Sequence, residues 1–523
     1  MSSPLRIGIV IADTGEFTAW ESEMLGQLLS TGLAKNFLFI SVPPKKNDSK
    51  FLYGLFKRFE DNWFRSIPNA FKAVPIKELY SAAEIISSSA VKKGIVDLLY
   101  ISCWADDKFI PEIHPTYGKW FLTFGSGQYK NAQPSGFWEV MNDEVVIGSS
   151  LSVQLPSYSN TVTVYSGNTT TVPYSVKNTL NTLAWKSASF IGYRLKELQM
   201  LGNEAFFNKY QQLQKNKATH PISNFKTPGN FKMAFLFIGN IFKYLRYKLS
   251  GENKGRFTLL YSNEEFSPDN INLSVFKSIP LPEGVFYADP FVVANKVTNY
   301  IFFEEYIYTK DKAHISVLTI DNKGNCSTPV TVLDQSYHLS YPFVFEWEDQ
   351  FYMIPETSAN KTVELYRAAK FPYQWEFVMN LMEDISLLDV TLVYENKTWW
   401  LFGNAANISF TSTNDQLLLY YSKDLCSKNW TPHPQNPIAT NIANCRPAGK
   451  LFRRNGQLYR PAQNNASRQY GFGLCINKIV TLNETEYYEE EISSIIPGEQ
   501  NNLKAIHTIN FTDSITVIDA ILK

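Results

Sequence analysis

Asp289, Glu304, Glu356 and Asp389 are the acids of this sequence whose type and spacing could do chemistry. Two carboxyl groups held across a narrow cavity can divide the work of breaking a glycosidic bond. One protonates the leaving oxygen while the other activates water or attacks the sugar. Arg446 and His507 could hold a phosphate or carboxylate, or raise a neighbour's acidity. Phe286, Tyr287, Tyr341, Trp347, Trp399 and Trp400 lie close by in sequence and could stack on sugar faces. A purely structural reading competes with each assignment. Acids at strand starts tie backbone N–H groups, and tryptophans in repeats fill the core between units.

A repeat is what would bring these residues together. Asp289-Pro-Phe-Val-Val, a turn and Tyr300-Ile-Phe-Phe-Glu304 form a strand–turn–strand unit. Tyr341-Pro-Phe-Val-Phe with Phe351-Tyr-Met-Ile-Pro-Glu356 repeats it, and so does Asp389-Val-Thr-Leu-Val with Trp399-Trp-Leu-Phe-Gly-Asn404. A fourth copy runs from Arg446 to Pro461 around Asn455-Gly456, and a shorter fifth from His507 to Asp519. Starting residues are 52, 48, 57 and 61 positions apart, and the first four copies each end 15 residues after they begin. Turn pairs such as Asn-Gly between apolar runs are strong hairpin signals. A lone hairpin cannot bury its faces, so the units must stack, and a period near 50 leaves room for four strands in each. The expected result is a five-bladed β-propeller over 256–523, with Asp289, Tyr341, Asp389, Arg446 and His507 around one mouth.

The first 205 residues have a different rhythm. Ile7–Ile11, Phe37–Val42 and Val96–Ile101 read as buried strands, and Leu151–Leu155 with Thr161–Tyr165 add two more. Ala19–Leu33, Ile76–Val91 and Lys177–Leu201 carry apolar residues at helical spacing. Strands alternating with helices predict an α/β domain over 1–205 with a mostly parallel sheet. Between the two lies a connector, 206–255. Residues 207–256 carry ten Lys or Arg against the single acid Glu252. Within it, Phe231–Leu249 mixes Phe, Leu and Ile with lysines. Such a helix either packs on a domain or lies on an anionic membrane surface.

Composition narrows the classes. The 523 residues give a prior of about 3.5 domains. Hydrophobic residues make up 44% and charged ones 19%, which excludes a disordered chain. Lys+Arg equals Asp+Glu at 49 each, so no overall field favours nucleic acid. Five cysteines without a CxxC pair provide no zinc or disulfide framework. The N-terminal apolar run is too short for a signal-peptide core, so a cytoplasmic location is expected, with the connector allowing contact with the membrane's inner face. Gly125-Ser-Gly-Gln128 is a glycine-rich turn with only a weak phosphate signal. His114, His220, His338 and His433 have no metal-ligand spacing.

Several motifs carry a resemblance: Tyr287-Ala-Asp-Pro-Phe291, His338-Leu-Ser-Tyr-Pro-Phe343, Ile354-Pro-Glu-Thr357, Cys445-Arg-Pro-Ala-Gly449, Arg460-Pro-Ala-Gln463 and His507-Thr508. Together they resemble the five-bladed propellers of glycoside hydrolase family 43, and most of all the N-terminal module of glucosamine inositolphosphorylceramide transferases, found also in bacterial polysaccharide loci. The hydrolase family implies a general-base Asp opening the first blade, which Asp289 matches. The helper Asp and acid Glu of its next two blades are replaced by Tyr341 and Asp389, so Glu356 would have to reach the mouth to act as the acid. Asp289, Glu356 and Asp389 are therefore the expected catalytic residues. Glu304, Tyr341, Arg446, Gln463 and His507 are the expected substrate contacts, with no metal and no cofactor.

The first 205 residues resemble a formyltransferase domain of the methionyl-tRNA and sugar-nucleotide type. The likeness is carried by Ala19-Trp20, Leu52-Tyr53, Val96-Asp-Leu-Leu99 and Pro134-Ser-Gly-Phe-Trp-Glu-Val140. That family's chemistry needs an Asn, a His and an Asp. No His occurs near Phe121-Leu-Thr-Phe-Gly-Ser126, and Cys103-Trp104 stand where the Asn segment belongs, which implies a degenerate domain without folate. The combined expectation is a carbohydrate-active protein of cell-surface polysaccharide or glycolipid assembly, with a glycan or sugar nucleotide as ligand. The alternatives are a non-catalytic glycan-binding scaffold and a sugar-nucleotide N-formyltransferase-like enzyme.

Overall fold

The computed structural model describes all residues except 1–3, 13–14, 45–49, 81–83, 93, 103–104, 106, 131, 156–160, 216–224, 251–254, 269–270, 296–297, 322, 407–410, 415 and 499–501. Cys103 and Trp104 therefore lie outside the described residues, as do Lys217, Glu252 and Lys254 of the basic connector. The chain divides near residue 251 into two compact units.

The first unit is built on a seven-stranded mixed sheet. Leu5–Ala12 lies at its centre, in parallel register with Ala34–Val42 on one side and Leu98–Ile101 on the other. Ile7 to Ala12 are all buried, as a strand covered on both faces requires. Lys119–Phe124 continues the parallel array, and Val146–Gln154 and Thr161–Thr170 close it antiparallel. Helices Ala19–Ser30 and Phe190–Leu201 supply buried Trp20, Met24, Leu28, Phe190 and Leu195 to the core on this sheet.

Two helix expectations fail. Among the described residues of Ile76–Val91 only Ile76–Leu79 is α-helical, and Glu84–Ser87 is instead the edge strand, paired in parallel with Leu38–Ser41. Sheet pairing wins there because Ile85 and Ile86 are β-branched and the helical turn has only four residues to propagate from. Lys177–Leu201 is two helices, Val176–Ser187 and Phe190–Leu201. At the break, Ser187 Oγ donates to the Leu183 carbonyl at 2.7 Å, and Ser189 Oγ donates to Gln27 at 2.7 Å. Such side-chain bonds compete with the helix ladder.

Most of the described connector residues up to 250 are helical, and they belong to the first unit. Helix Asn203–Lys215 packs Phe206, Phe207 and Tyr210 into the main core. Helix Asn230–Ser250 lies beside helix Phe51–Trp63, with Phe237 5.5 Å from Phe56 and 5.2 Å from Phe59, ring centre to ring centre.

The second unit is a five-bladed β-propeller: five antiparallel sheets of four strands each. Three blades are continuous in sequence, 285–333, 340–383 and 388–432, and a fourth covers 452–495. The fifth is shared between the two ends of the unit. Leu503–Phe511 and Thr516–Leu522 form its inner strands, and Phe257–Ser262 pairs antiparallel with Thr516–Leu522 to carry the outer ones. This closure explains why the fifth repeat is short: residues 257–278 complete it.

One backbone device recurs around the centre. The innermost strand of the first, second, third and fifth blades skips two residues against its partner, between Ala288 and Phe291, Ser340 and Phe343, Leu388 and Thr391, and Ile506 and Ile509. Asp289, Tyr341 and Asp389 sit in these bulges with φ of 52°, 42° and 53°. Aspartate tolerates this left-handed region through its short polar side chain, but a tyrosine there is held by its surroundings. Bulges re-aim side chains, and these turn the residues opening each repeat toward the middle of the disc.

Candidate active site at the propeller centre

The site has two tiers. The bulges of the first, second, third and fifth blades supply Asp289, Tyr341, Asp389 and His507, and the segment leading into the fourth blade supplies Arg446. The second strands supply Glu304, Glu356, Asn404, Gln463 and Asp519. Register puts each of the latter beside its own bulge: Ala288 faces Glu304, Ser340 faces Glu356, Leu388 faces Asn404, and Gln463 N donates to the Arg446 carbonyl at 2.8 Å.

His507 is the hub of one group. Its Nε2 lies 3.2 Å from Asp289 Oδ1 and its Nδ1 2.9 Å from Asp519 Oδ2. Asp289 Oδ1 also accepts the Thr508 hydroxyl at 2.9 Å. Asp519 accepts the backbone N–H groups of Asp289, His507 and Thr508 at 2.8, 3.1 and 2.8 Å. Burial alone would lower the His507 pKa, but Asp519 and Asp289 outweigh it and push it up to about 10. Burial pushes the Asp289 carboxyl up, yet the charge and hydrogen bond of His507, together with Thr508, hold it below the usual carboxylate range. Beside this group stands Glu304, which burial raises to about 7; Asp289's negative charge adds to the rise and His338 opposes it. His338 Nε2 is 3.2 Å from Glu304 Oε1, and its side chain is 39% exposed, so this carboxyl communicates with solvent through the imidazole. Near His338, Tyr306 stacks on Phe286 at 4.7 Å, with half-exposed Tyr308 alongside at 5.6 Å.

Arg446 organises the other group. Its Nε donates to Asp389 Oδ2 at 2.5 Å and its Nη2 to Asp389 Oδ1 at 3.3 Å, a two-pronged grip. Gln463 Nε2 donates to Asp389 Oδ2 at 3.1 Å, and Arg446 Nη1 to Asn414 Oδ1 at 3.3 Å. Glu356 Oε2 accepts the Asp389 backbone N–H at 3.3 Å and lies 3.9 Å from Arg446 Nη2. Burial and the Asp389 charge raise the Glu356 carboxyl well above its ordinary range, against the pull of Arg446. Tyr470 joins the two groups: the Arg446 guanidinium lies 5.5 Å from its ring centre, and the His507 ring 5.5 Å on. Tyr470 is 42% exposed, which marks the mouth.

The structure thus brings Asp289, Glu304 and His507 into one network and Glu356, Asp389, Arg446 and Gln463 into another. Tyr341 is different. It is fully buried, its hydroxyl accepting Gly449 N–H at 2.8 Å and meeting Thr391 Oγ1 at 3.0 Å, so it pins the second, third and fourth blades together and has no face left for a substrate. The stacking role expected of Trp399 and Trp400 is also corrected. They are 4% and 2% exposed, and Trp399 packs edge-on against Trp347 at 4.8 Å between blades. Asp389 is gripped so fully by Arg446 and Gln463 that its oxygens serve to position the guanidinium.

Sequence reasoning missed Asp519, His338, Tyr470 and Asn404. Asp519 and Asn404 could have been found, because they end the second strands of their repeats as Glu304 and Glu356 do. Asn404 is fully buried, and neither its Nδ2 nor its Oδ1 has a partner among the described residues. His338 was passed over for want of a metal-ligand spacing, although its partner is an acid 34 residues earlier on another strand.

Asp289, His507 and Asp519 offer three potential metal-ligand atoms within 4.8 Å of one another. The two carboxylates hold His507 in its charged form, with a proton on each ring nitrogen. The imidazolium itself supplies the positive charge between the acids, and a cation would have to displace its protons.

The sequence profile of the family described as "Glucosamine inositolphosphorylceramide transferase 1, N-terminal" matches residues 275–511. The chain is 36% identical over 211 residues to glucosamine inositolphosphorylceramide transferase 1 of Oryza sativa subsp. japonica, which covers 40% of this chain and 28% of that protein. With the protein of the same name from Arabidopsis thaliana it shares 32% identity over 225 residues, covering 42% and 29%. The chain thus spans under a third of the length of these curated relatives. Among solved structures, a family 117 glycoside hydrolase of Zobellia galactanivorans aligns with a TM-score of 0.35 at 11% identity, covering 52% of this chain and 92% of that one. Residues 275–511 of the propeller thus resemble the family described as the N-terminal part of glucosamine inositolphosphorylceramide transferase 1.

Proposed function

We propose that the propeller centre binds a sugar and acts on its glycosidic linkage, in the assembly of a cell-surface polysaccharide or glycolipid. One observation carries the reading: two neighbouring carboxyl groups buried at the propeller centre have opposite protonation tendencies. Asp289 is held ionised while Glu304 is raised to about 7, the division of labour that acid–base chemistry on an acetal requires. Arg446, oriented by Asp389, offers its remaining N–H groups to a phosphate or carboxylate of the ligand, and Tyr470 and Tyr306 offer faces for sugar rings. The sequence relationship to glucosamine inositolphosphorylceramide transferases supports the carbohydrate class. In the same proposal the first unit is a formyltransferase-like domain that has lost its catalytic residues.

Glu304→Gln is the cleaner test than Asp289→Asn. The latter also removes the negative charge that faces the buried His507, so it costs stability as well as charge. The intact chain is screened on a glycan array and then assayed for hydrolysis or transfer with the glycans it binds. Turnover should fall above about pH 7 as Glu304 loses its proton and should collapse in Glu304→Gln, while binding persists. A chain that binds no glycan refutes the sugar reading.

A glycan-binding scaffold is the second reading, favoured by the internal pairing of Asp389 with Arg446 and of Asp289 with His507. Binding that survives Glu304→Gln, with no turnover by the native chain on any bound glycan, selects it. A formyltransferase-like activity of the first unit is checked with formyl-tetrahydrofolate and amino-sugar nucleotides; formation of an N-formyl product would overturn the assignment of that unit as degenerate.

A further inference from the structure

Helix Asn230–Ser250 has two apolar faces, and only one is used. Met233 and Asn240 point inward and are buried, with Phe237 packed on Phe56 and Phe59. On the opposite side Phe231, Phe235, Ile238, Phe242, Leu245 and Leu249 are 80%, 65%, 55%, 66%, 46% and 87% exposed. At about 100° per residue these six fall within an arc of about 80°, a straight stripe running the length of the helix. Helix Phe51–Trp63 lies alongside and widens it: Phe51, Leu55 and Trp63 are exposed, Leu52 N donates to Asn230 Oδ1 at 3.3 Å, and Trp63 sits 6.4 Å from Tyr244.

We propose that this two-helix face seats the protein on an anionic membrane surface, its phenylalanines dipping among the lipid headgroups and acyl chains. Charge singles out this occupant. Helix 230–250 has Lys232, Lys243, Arg246 and Lys248 and no acid, in a chain whose charges balance as a whole. Lys57, Arg58, Arg246 and Lys248 are exposed around the stripe, while nearby Asp61 and Asp143 already face Lys177 and Lys243 at 3.7 and 2.9 Å. The stripe's alternating spacing of four and three would suit a coiled coil, but the positions flanking it are Lys232, Gly239 and Arg246 on one side and Ala234, Ile241 and Lys248 on the other, with three bases and no acid among them. A second copy would set like charges against each other where coiled coils place opposite ones. A bilayer with anionic headgroups meets both the apolar stripe and the basic flanks. The seating is in-plane, since no described helix is long and apolar enough to cross a membrane.

The test is vesicle flotation of the intact chain with phosphatidylcholine alone and with added phosphatidylserine, at low and high salt. Native protein should float with the anionic vesicles, several-fold less at high salt. Phe235→Ser/Phe242→Ser should cut partitioning at least about tenfold on either vesicle. Arg246→Glu/Lys248→Glu should cut it at least about tenfold on the anionic vesicles only. All six side chains of the stripe lie outside the core, so circular dichroism and melting of the variants should match the native protein. Should the phenylalanine variant melt early, the charge-reversal variant decides. Failure of the native protein to float, flotation of both variants as strong as the native protein's, or a native dimer by light scattering that the phenylalanine variant abolishes would each overturn the proposal.

Discussion

His507 should give the propeller a stability that disappears in alkali. The residue is 4% exposed, lies between Asp289 and Asp519, and has its pKa pushed up from an ordinary 6.5 to about 10. Because the folded pKa lies above the unfolded one, the native state binds the proton more tightly. The contribution is therefore complete below pH 6.5, declines as pH rises between the two values, and is gone above about pH 10. At about 1.4 kcal/mol per pKa unit, the proton's preference for the native state is on the order of 5 kcal/mol, an upper bound given that the two aspartates share in the coupling. His507→Gln keeps the approximate volume but loses the charge, leaving Asp289 and Asp519 facing each other uncompensated. At pH 6 the variant should be less stable by a few kcal/mol, the usual cost of breaking a buried pair from one side. Urea denaturation followed by tryptophan fluorescence, repeated at intervals from pH 6 to 10, gives the two curves. The gap between native and variant should close steadily across that window. A constant gap would show that the ring does not titrate between these pH values, and the hub would then be held by packing alone.

Arg460 tests the same physics away from the mouth. Fully buried, it donates to both carboxylate oxygens of Glu489, at 2.9 and 2.6 Å, so Arg460→Ala should destabilise the propeller by about 3–5 kcal/mol in chemical denaturation. Tyr341→Phe removes the acceptor of the Gly449 N–H and should cost about 1–3 kcal/mol in denaturant. Glycan affinity on the array should be unchanged, and a large loss of affinity with little loss of stability would return Tyr341 to the substrate.

The division between sequence and tertiary structure follows from the range of the forces involved. Strand periodicity, turn pairs and a period near 50 residues are local, so four complete repeats and a short fifth could be read directly, and with them the five blades and the residue opening each one. The helix 230–250 was equally visible from its 3.6-residue pattern. Its second, unused face was not, because a sequence shows an apolar residue without showing what covers it. Helical spacing over 76–91 misled for a related reason: a four-residue strand at a sheet edge is decided by its parallel partner 38–41, a contact between segments distant in sequence.

The centre of the disc depended on tertiary structure most of all. That Asp289 and Glu304 differ in protonation, that Asp389 is spent on Arg446, and that Tyr341 is a pin all follow from burial and from neighbours 15 to 230 residues away. Even the bulges that turn the ring residues inward come from closure of the disc, since an isolated hairpin has no centre to face. The chain order therefore specified which residues would meet, and the packed propeller decided how deeply each is buried and with which neighbour it pairs.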